Sequence, residues 1–293
     1  MNTFSIRDIE NLSGIKAHTL RVWEQRYGII KPSRKQSRHR LYGIDDLKRI
    51  LRISHLYNQG FKISRIAEMS DEDICRLTAE AQSKGKFDIF INQLIEASID
   101  FDEELFRRAL DAVLFRQGFE HTIIQVVYPF LNKIGMLWLT GNIIPSQEHF
   151  ASNIIRNKIL FETAGMEWKP QKAGVRYVLF CPPEEYHEIP LLFIQYCLKK
   201  RGISCSLLGV NTTLSELNDF LSTTSVTHLF VHLTTNFTDN EPAELVEDLC
   251  KLYPDIQVLA SGRVFNGLTH ELENLTLFMD ILDFLVSLDN PSA

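Results

Sequence analysis

Long apolar runs are missing from this 293-residue chain. No uninterrupted stretch approaches the roughly 20 residues that a membrane-spanning helix needs, so no membrane partner is expected. The opening residues Met1-Asn2-Thr3-Phe4-Ser5 offer no basic segment followed by an apolar one, and no secretory signal is expected. Cysteine is scarce: Cys75, Cys181, Cys197, Cys205 and Cys250 are odd in number, scattered, and free of any C-x-x-C pair. That set argues against a disulfide framework or a cysteine metal site. It fits reduced, mostly buried thiols in a cytoplasmic protein. Positive charge is in deficit overall, with 31 Lys+Arg against 37 Asp+Glu.

The deficit is uneven. Residues 1–70 hold 14 Lys+Arg against 6 Asp+Glu, whereas the remainder holds 17 against 31. A basic head on an acidic body points to a polyanion-binding module joined to a part with another task. The head reads as short helices. Ser5-Ile6-Arg7-Asp8 has capping-box form, Ile6, Ile9 and Leu12 share a helical face, and Gly14 ends the helix. A second helix over 16–27 sets Leu20, Trp23 and Tyr27 inward and presents His18, Arg21, Val22 and Gln25, with Arg26 at the edge. Two helices about a tight turn match the helix-turn-helix pattern, whose second helix enters the major groove. Arg21 is the leading candidate to reach a base or a flanking phosphate. A basic wing follows, Arg34, Lys35, Arg38, His39, Arg40 and Tyr42, suited to phosphate contacts. Asp45-Asp46 then cap a third helix with Leu47, Ile50, Leu51 and Tyr57 inward, and a fourth short helix starts near Phe61.

Three segments closely resemble the winged-helix domain of MerR-type regulators. They are Thr19-Leu20-Arg21-x-Trp23-Glu24-x-Arg26-Tyr27-Gly28-Ile29-Ile30-x-Pro32-x-Arg34, Arg40-x-Tyr42-x-x-x-Asp46-Leu47 and Leu56-x-x-x-Gly60-Phe61-x-Ile63-x-x-Ile66. The resemblance covers residues 3–69 and implies dimeric binding to near-palindromic promoter DNA, with RNA polymerase a further candidate partner. The Trp-Glu-x-Arg-Tyr-Gly variant is most similar to the subgroup that carries a cobalamin domain. Val22 stands where many members have an aromatic residue.

Residues 71–85 are polar and read as a linker. Helical patterns over 87–98, 102–116, 119–138 and 145–164 then suggest a four-helix bundle. Within it, Trp138-x9-Glu148-His149 resembles the bundle motif of cobalamin-binding MerR-type photoreceptors. The resemblance implies that Trp138 packs over the upper corrin face and adenosyl group, that Glu148 lies near that group, and that His149 becomes an upper cobalt ligand once the group is lost.

From Val175 the period changes. β-rich segments at 176–181, 204–210, 228–233 and 256–260 alternate with helical ones at 187–201, 214–222 and 242–252. This alternation predicts a doubly wound parallel α/β sheet, with ligands beyond the carboxyl ends of its strands. The loop after the first strand carries Glu185-x-His187-x-x-Pro190, which resembles the D/E-x-H-x-x-G loop of Rossmann-like cobalamin-binding domains. That likeness implies His187 as lower axial cobalt ligand, oriented by Glu185. It also assigns Ser261-Gly262 to the cofactor site. Pro190 stands in place of the motif's glycine, and Ser261-Gly262-Arg263 in place of Gly-Gly.

The expected architecture is multi-domain, α plus α/β: a winged helix-turn-helix at 1–75, a helical cap at 76–168 and a cobalamin-binding-like domain at 169–293. The expected function is a DNA-binding transcriptional regulator, a repressor, controlled through adenosylcobalamin and responsive to light, acting as a dimer or tetramer. The alternative is a cobalamin-independent regulator whose degenerate sheet serves oligomerisation or partner binding. No enzymatic role is expected, because bundle and sheet leave no segment for a substrate domain.

Overall fold

The structure, a computed structural model, describes residues 4–30, 32–34, 40–58, 60–80, 87–139, 143–166, 174–234, 241–265 and 267–289. It packs as two compact units, Met1–Ile154 and Ile155–Ala293, divided inside a helix. No helix among the described residues is long and apolar enough to cross a membrane.

In the first unit, α1 (Ile6–Ser13) starts as its sequence directs: Asp8 N donates to Ser5 Oγ and Ser5 N to Asp8 Oδ2. Helix α2 (Ala17–Tyr27) buries Leu20 and Trp23 and stops at Gly28 in the left-handed region. Strands β1 (Ser33–Arg34) and β2 (Arg40–Leu41) pair antiparallel as the wing. Helix α3 (Ile44–Asn58) begins where Asp46 Oδ2 accepts from Gly43 N, 2.8 Å away. Leu47, Ile50 and Leu51 point inward, but Tyr57 is 41% exposed and sets its ring edge-on to Trp23. After α4 (Ile63–Ala67), part of the expected linker is instead α5 (Asp71–Glu80). Ser70 caps it by accepting from Asp73 N, three acidic residues favour its first turn, and Ile74 is buried. Residues 81–86 of that expected linker lie outside the described residues.

The bundle follows with α6 (Asp88–Asp100), α7 (Glu103–Gln117), α8 (Phe119–Thr122), α9 (Tyr128–Leu139) and α10 (Pro145–Ala164). A π turn over Ile123–Val127 joins α8 to α9, with Tyr128 N bonded to Ile123 O. Pro129 explains it: proline has no N–H to donate and its ring crowds the preceding turn, so the wider turn absorbs it. Head and bundle share the unit through charge. Lys48 pairs with Asp100 and Arg52 with Glu96, across α3 and α6. Lys133 Nζ donates to Leu12 O at 3.1 Å, and burial lowers its pKa.

In the second unit, β3 (Arg176–Phe180), β4 (Ser204–Gly209), β5 (His228–His232), β6 (Gln257–Ser261) and β7 (Leu275–Phe278) form a parallel sheet in the order β4-β3-β5-β6-β7. The helices are α11 (Ile189–Lys200), α12 (Leu214–Thr223), α13 (Pro242–Leu252) and α14 (Ile281–Asp289). Strand alternation divides the side chains between two layers. Val178, Phe180, Leu229, Val231, Val258 and Ala260 pack with Leu217 of α12 and Leu249 of α13. Phe230 and Phe278 meet Phe284 of α14 at 4.7 and 5.4 Å. The sequence reading anticipated four strands and missed β7 and α14. A four-residue strand at the edge of a sheet has too short a pattern to register. Cys181, Cys197 and Cys250 are buried, and Cys205 partly so.

Candidate functional site

Because β3 and β5 are neighbours while β4 lies on the far side of β3, the winding reverses between them. Crevices at such reversals, beyond the strand carboxyl ends, are where open α/β sheets bind ligands. The loop leaving β3 turns sharply there. Glu185 N donates to Pro182 O, and Glu184 takes φ 71° while its N–H bonds Asn211 Oδ1. The turn drives Glu185 inward, fully buried, and leaves the His187 side chain 53% exposed.

Glu185 closes the reversal. One carboxylate oxygen accepts from His187 N (2.9 Å) and contacts His187 Nδ1 (2.5 Å); the other accepts from Thr234 N just past β5 (2.8 Å). The carboxylate contact at Nδ1 sets the orientation of the ring from that side. Glu188 stands just before α11 and pairs with Arg156, fixing the loop's far side. Pro190 falls in the first turn of α11, where a missing N–H breaks no helical bond, so the helix accepts it. A half-exposed imidazole held by a buried carboxylate is a donor set that fits a cobalt ion.

Burial alone would raise the pKa of Glu185. The bonds from the His187 ring, His187 N and Thr234 N outweigh it and hold the group at about 2, below the ordinary 4.5. A folded-state value below the unfolded one means stability that is present above about pH 4.5 and lost as pH falls toward about 2. At about 1.4 kcal/mol per pH unit the gap is worth about 3 kcal/mol, of which roughly 2 kcal/mol is lost by about pH 3. Urea unfolding of wild type and Glu185→Gln should therefore give free energies that converge by that amount on acidification. A constant difference would contradict the assignment.

In the first unit, the start of α10 is anchored from within. Gln147 Nε2 donates to Ile99 O, Ile144 N donates to Gln147 Oε1, and Phe150 meets the rings of Phe101 and Phe106. With Gln147, Phe150 and Ala151 turned inward, Glu148 and His149 face out. His149 is 69% exposed, its Nε2 3.7 Å from Glu148 Oε2, and Glu148 accepts from Ser152 Oγ. Trp138, at the end of α9, is 46% exposed, an unusual amount for a tryptophan.

The face of α2 proposed to read DNA is open: His18, Arg21, Val22, Gln25 and Arg26 are all exposed. The wing is less uniform. Arg40 Nε donates to Glu24 Oε2 at 2.6 Å, pinning the wing to α2. Tyr42, expected at the DNA, is instead 1% exposed, its backbone bridged to Phe4. Only the backbone of Arg34 is described, and Lys35, Arg38 and His39 lie outside the described residues. At the strand ends, Ser261 is buried against His232, a contact the sequence reading did not foresee. A histidine closing an apolar strand, Leu229-Phe230-Val231-His232, was its only signal.

Residues 4–73 match the MerR HTH family regulatory proteins, and residues 90–160 match the B12 binding domain. Over 222 residues, 73% of either chain, the sequence is 26% identical to the HTH-type transcriptional repressor CarH of Myxococcus xanthus. The repressor CarA of the same organism is 26% identical over 218 residues, 73% of this chain and 71% of that one. The chain thus carries a MerR-type HTH domain and a B12 binding domain. Its fold is similar to the solved Methanosarcina barkeri monomethylamine corrinoid protein, with TM-score 0.55, 13% identity, and coverage of 70% of this chain and 98% of that one. The exposed α2 face lies within the segment that matches the MerR HTH family.

Proposed function

We propose that this regulator is a repressor whose promoter affinity is set by a bound cobalamin, adenosylcobalamin in particular. The observation that carries the reading is the buried Glu185 carboxylate holding the His187 ring at the sheet's reversal. His187 Nε2 is the nitrogen that would hold cobalt, and Glu185 fixes its tautomer. Trp138 and Glu148 would cover the adenosyl side, with His149 available to take its place. When bound, adenosylcobalamin supplies a cobalt–carbon bond that light breaks, which is the basis proposed for light response. A ligand that favours one assembly of subunits shifts DNA affinity through that assembly, here a dimer or tetramer on two half-sites. The repressor names of CarH and CarA support regulation over catalysis. Arg21, Gln25 and His18 are proposed to read bases, and Arg26, Arg34, Lys35, Arg38 and Arg40 to meet phosphates, in a cytoplasmic setting.

The deciding experiment reconstitutes the full chain with adenosylcobalamin in the dark, desalts it and records the absorption spectrum. A protein-bound chromophore is expected. Its loss on desalting would leave the sheet a scaffold for assembly alone. On duplexes selected from a random library, the logarithm of affinity should fall steeply with the logarithm of salt, and Arg21→Ala should cost about 1–3 kcal/mol. A shallow salt dependence would contradict a multi-phosphate footprint.

A further inference from the structure

The contacts between head and bundle fix angles as well as distances. Arg52 of α3 meets Glu96 of α6 through two bonds at once: its Nε donates to Oε2 at 3.3 Å, and its Nη2 donates to Oε1. A guanidinium fork on a carboxylate constrains orientation, which a point charge does not. One turn away on both helices, Lys48 pairs with Asp100, so the two ion pairs hold α3 antiparallel to α6. Lys48, Arg52 and Glu96 are mostly shielded from water, and salt screens such pairs less than surface ones. On a separate pair of helices, Lys133 of α9 donates to Leu12 O of α1 at 3.1 Å. Contacts on two helix pairs leave the head no single axis to turn about. The junction is also polar inside: His55 Nε2 of α3 and Asn92 Oδ1 of α6 are buried with no hydrogen-bond partner among the described residues. Buried polar contacts of this kind add little net stability, because desolvation offsets attraction, yet they admit few geometries. Tyr57, on the same α3, sets its ring 4.9 Å from that of Trp23 in α2. Where α3 points, the exposed face of α2 points too.

We propose that Lys48, Arg52, Glu96 and Asp100 determine specificity for half-site spacing: by fixing each head on its own bundle, they set the separation of half-sites that an assembled pair of chains accepts. This rests on the proposed binding to two half-sites. None of the four belongs to the set proposed to touch DNA, so they act as positioning residues. A head free to swivel reaches half-sites at several separations. A fixed head presents α2 at one distance and one phase of the duplex, because each base pair turns the groove by about 35°.

The test uses the duplex selected from a random library, the same duplex lengthened between its half-sites by enough base pairs to turn the groove roughly 70°, and a duplex with one half-site. Full chains are titrated by fluorescence anisotropy in the dark with adenosylcobalamin present, with sedimentation velocity and melting alongside. On the lengthened duplex wild type should fall to its one-half-site affinity, a loss of about 100-fold. Glu96→Ala with Asp100→Ala, which alters the bundle alone, should lose about threefold or less between the two spacings, with one-half-site affinity unchanged. Arg52→Glu with Glu96→Arg, which reverses the pair, should restore the discrimination of wild type. A role confined to holding the unit together would move the melting midpoint and leave the ratio of the two spacings alone. Wild-type discrimination in the alanine variant overturns the proposal, as does a reversed pair that leaves discrimination lost. Should the alanine variant not fold, Arg52→Lys decides, since it keeps the charge and loses the fork: discrimination reduced about threefold or more supports the assignment, and unchanged discrimination overturns it. An assembled wild type indifferent to spacing overturns the proposal alone. A monomer that binds one and two half-sites equally overturns the two-half-site reading and the proposal with it.

Discussion

His187→Ala is expected to deprive adenosylcobalamin of its protein nitrogen, changing the absorption spectrum of the bound ligand and weakening retention about 100-fold or more. The geometry makes this residue hard to replace. The loop after β3 is tied down at Cys181, whose N–H bonds Gly209 O, and at Glu185, whose carboxylate binds both His187 and Thr234 N. The ring is therefore presented in one orientation before any ligand arrives, and little ordering cost falls on binding. Glu185→Gln keeps the shape of the side chain but not its charge. It should cost about 10–100-fold in affinity while the spectrum keeps its nitrogen-ligated form. A His187→Ala protein with the wild-type spectrum would remove His187 from the cobalt.

Gly262→Ala should be the most damaging single methyl in the second unit, lowering its stability by about 3 kcal/mol or more. Gly262 has φ 137°, a region closed to side chains, and a Cβ built there would overlap the carbonyl oxygen of Leu233. That carbonyl cannot yield. Leu233 is buried, its N–H bonds Ser261 O, and Gly262 N in turn bonds Phe278 O. The methyl would push apart the ends of β5, β6 and β7, which carry His232 and Ser261. Thermal unfolding should show a midpoint lower by roughly 10 °C. Gly135, inside α9, is the contrast, because a Cβ added there would meet nothing within 4 Å. At that position alanine should be neutral or stabilising by about 0.5–1 kcal/mol. Similar midpoints for the two variants would show that the β5–β6 junction is slack.

Much of the fold was written locally. Ser5 and Gly14 bound α1 through bonds made within one turn, so the residues that mark its ends are also the ones that make them. The β-rich segments from 176 to 260 announce parallel strands because both faces of each strand are covered. Where composition contradicts contact, the reading failed. Asp71–Glu80 looks like linker because six of its ten residues are polar, yet a serine cap and a buried isoleucine help make it a helix against α3. Tyr42 looks like part of a basic wing, but it pairs with Phe4, thirty-eight positions away, and that bridge turns it into the core.

What the sequence by itself determined is therefore the set of parts: a MerR-type head with Arg21 on its open face, a helical cap ending in Trp138 and opening again at Glu148-His149, and a βα domain with His187 in its first loop. Each is encoded by residues a few positions apart, in caps, periods and motifs. Only the tertiary structure decided what meets at the strand ends. Glu185 finds Thr234 N, Leu233 crowds Gly262, and His232 takes the Ser261 hydroxyl, because parallel strands bring together residues that crossover helices hold 29 to 49 positions apart. Hydrogen bonds at that separation leave no period to read, since the pairing depends on strand order, and strand order depends on how the whole sheet packs.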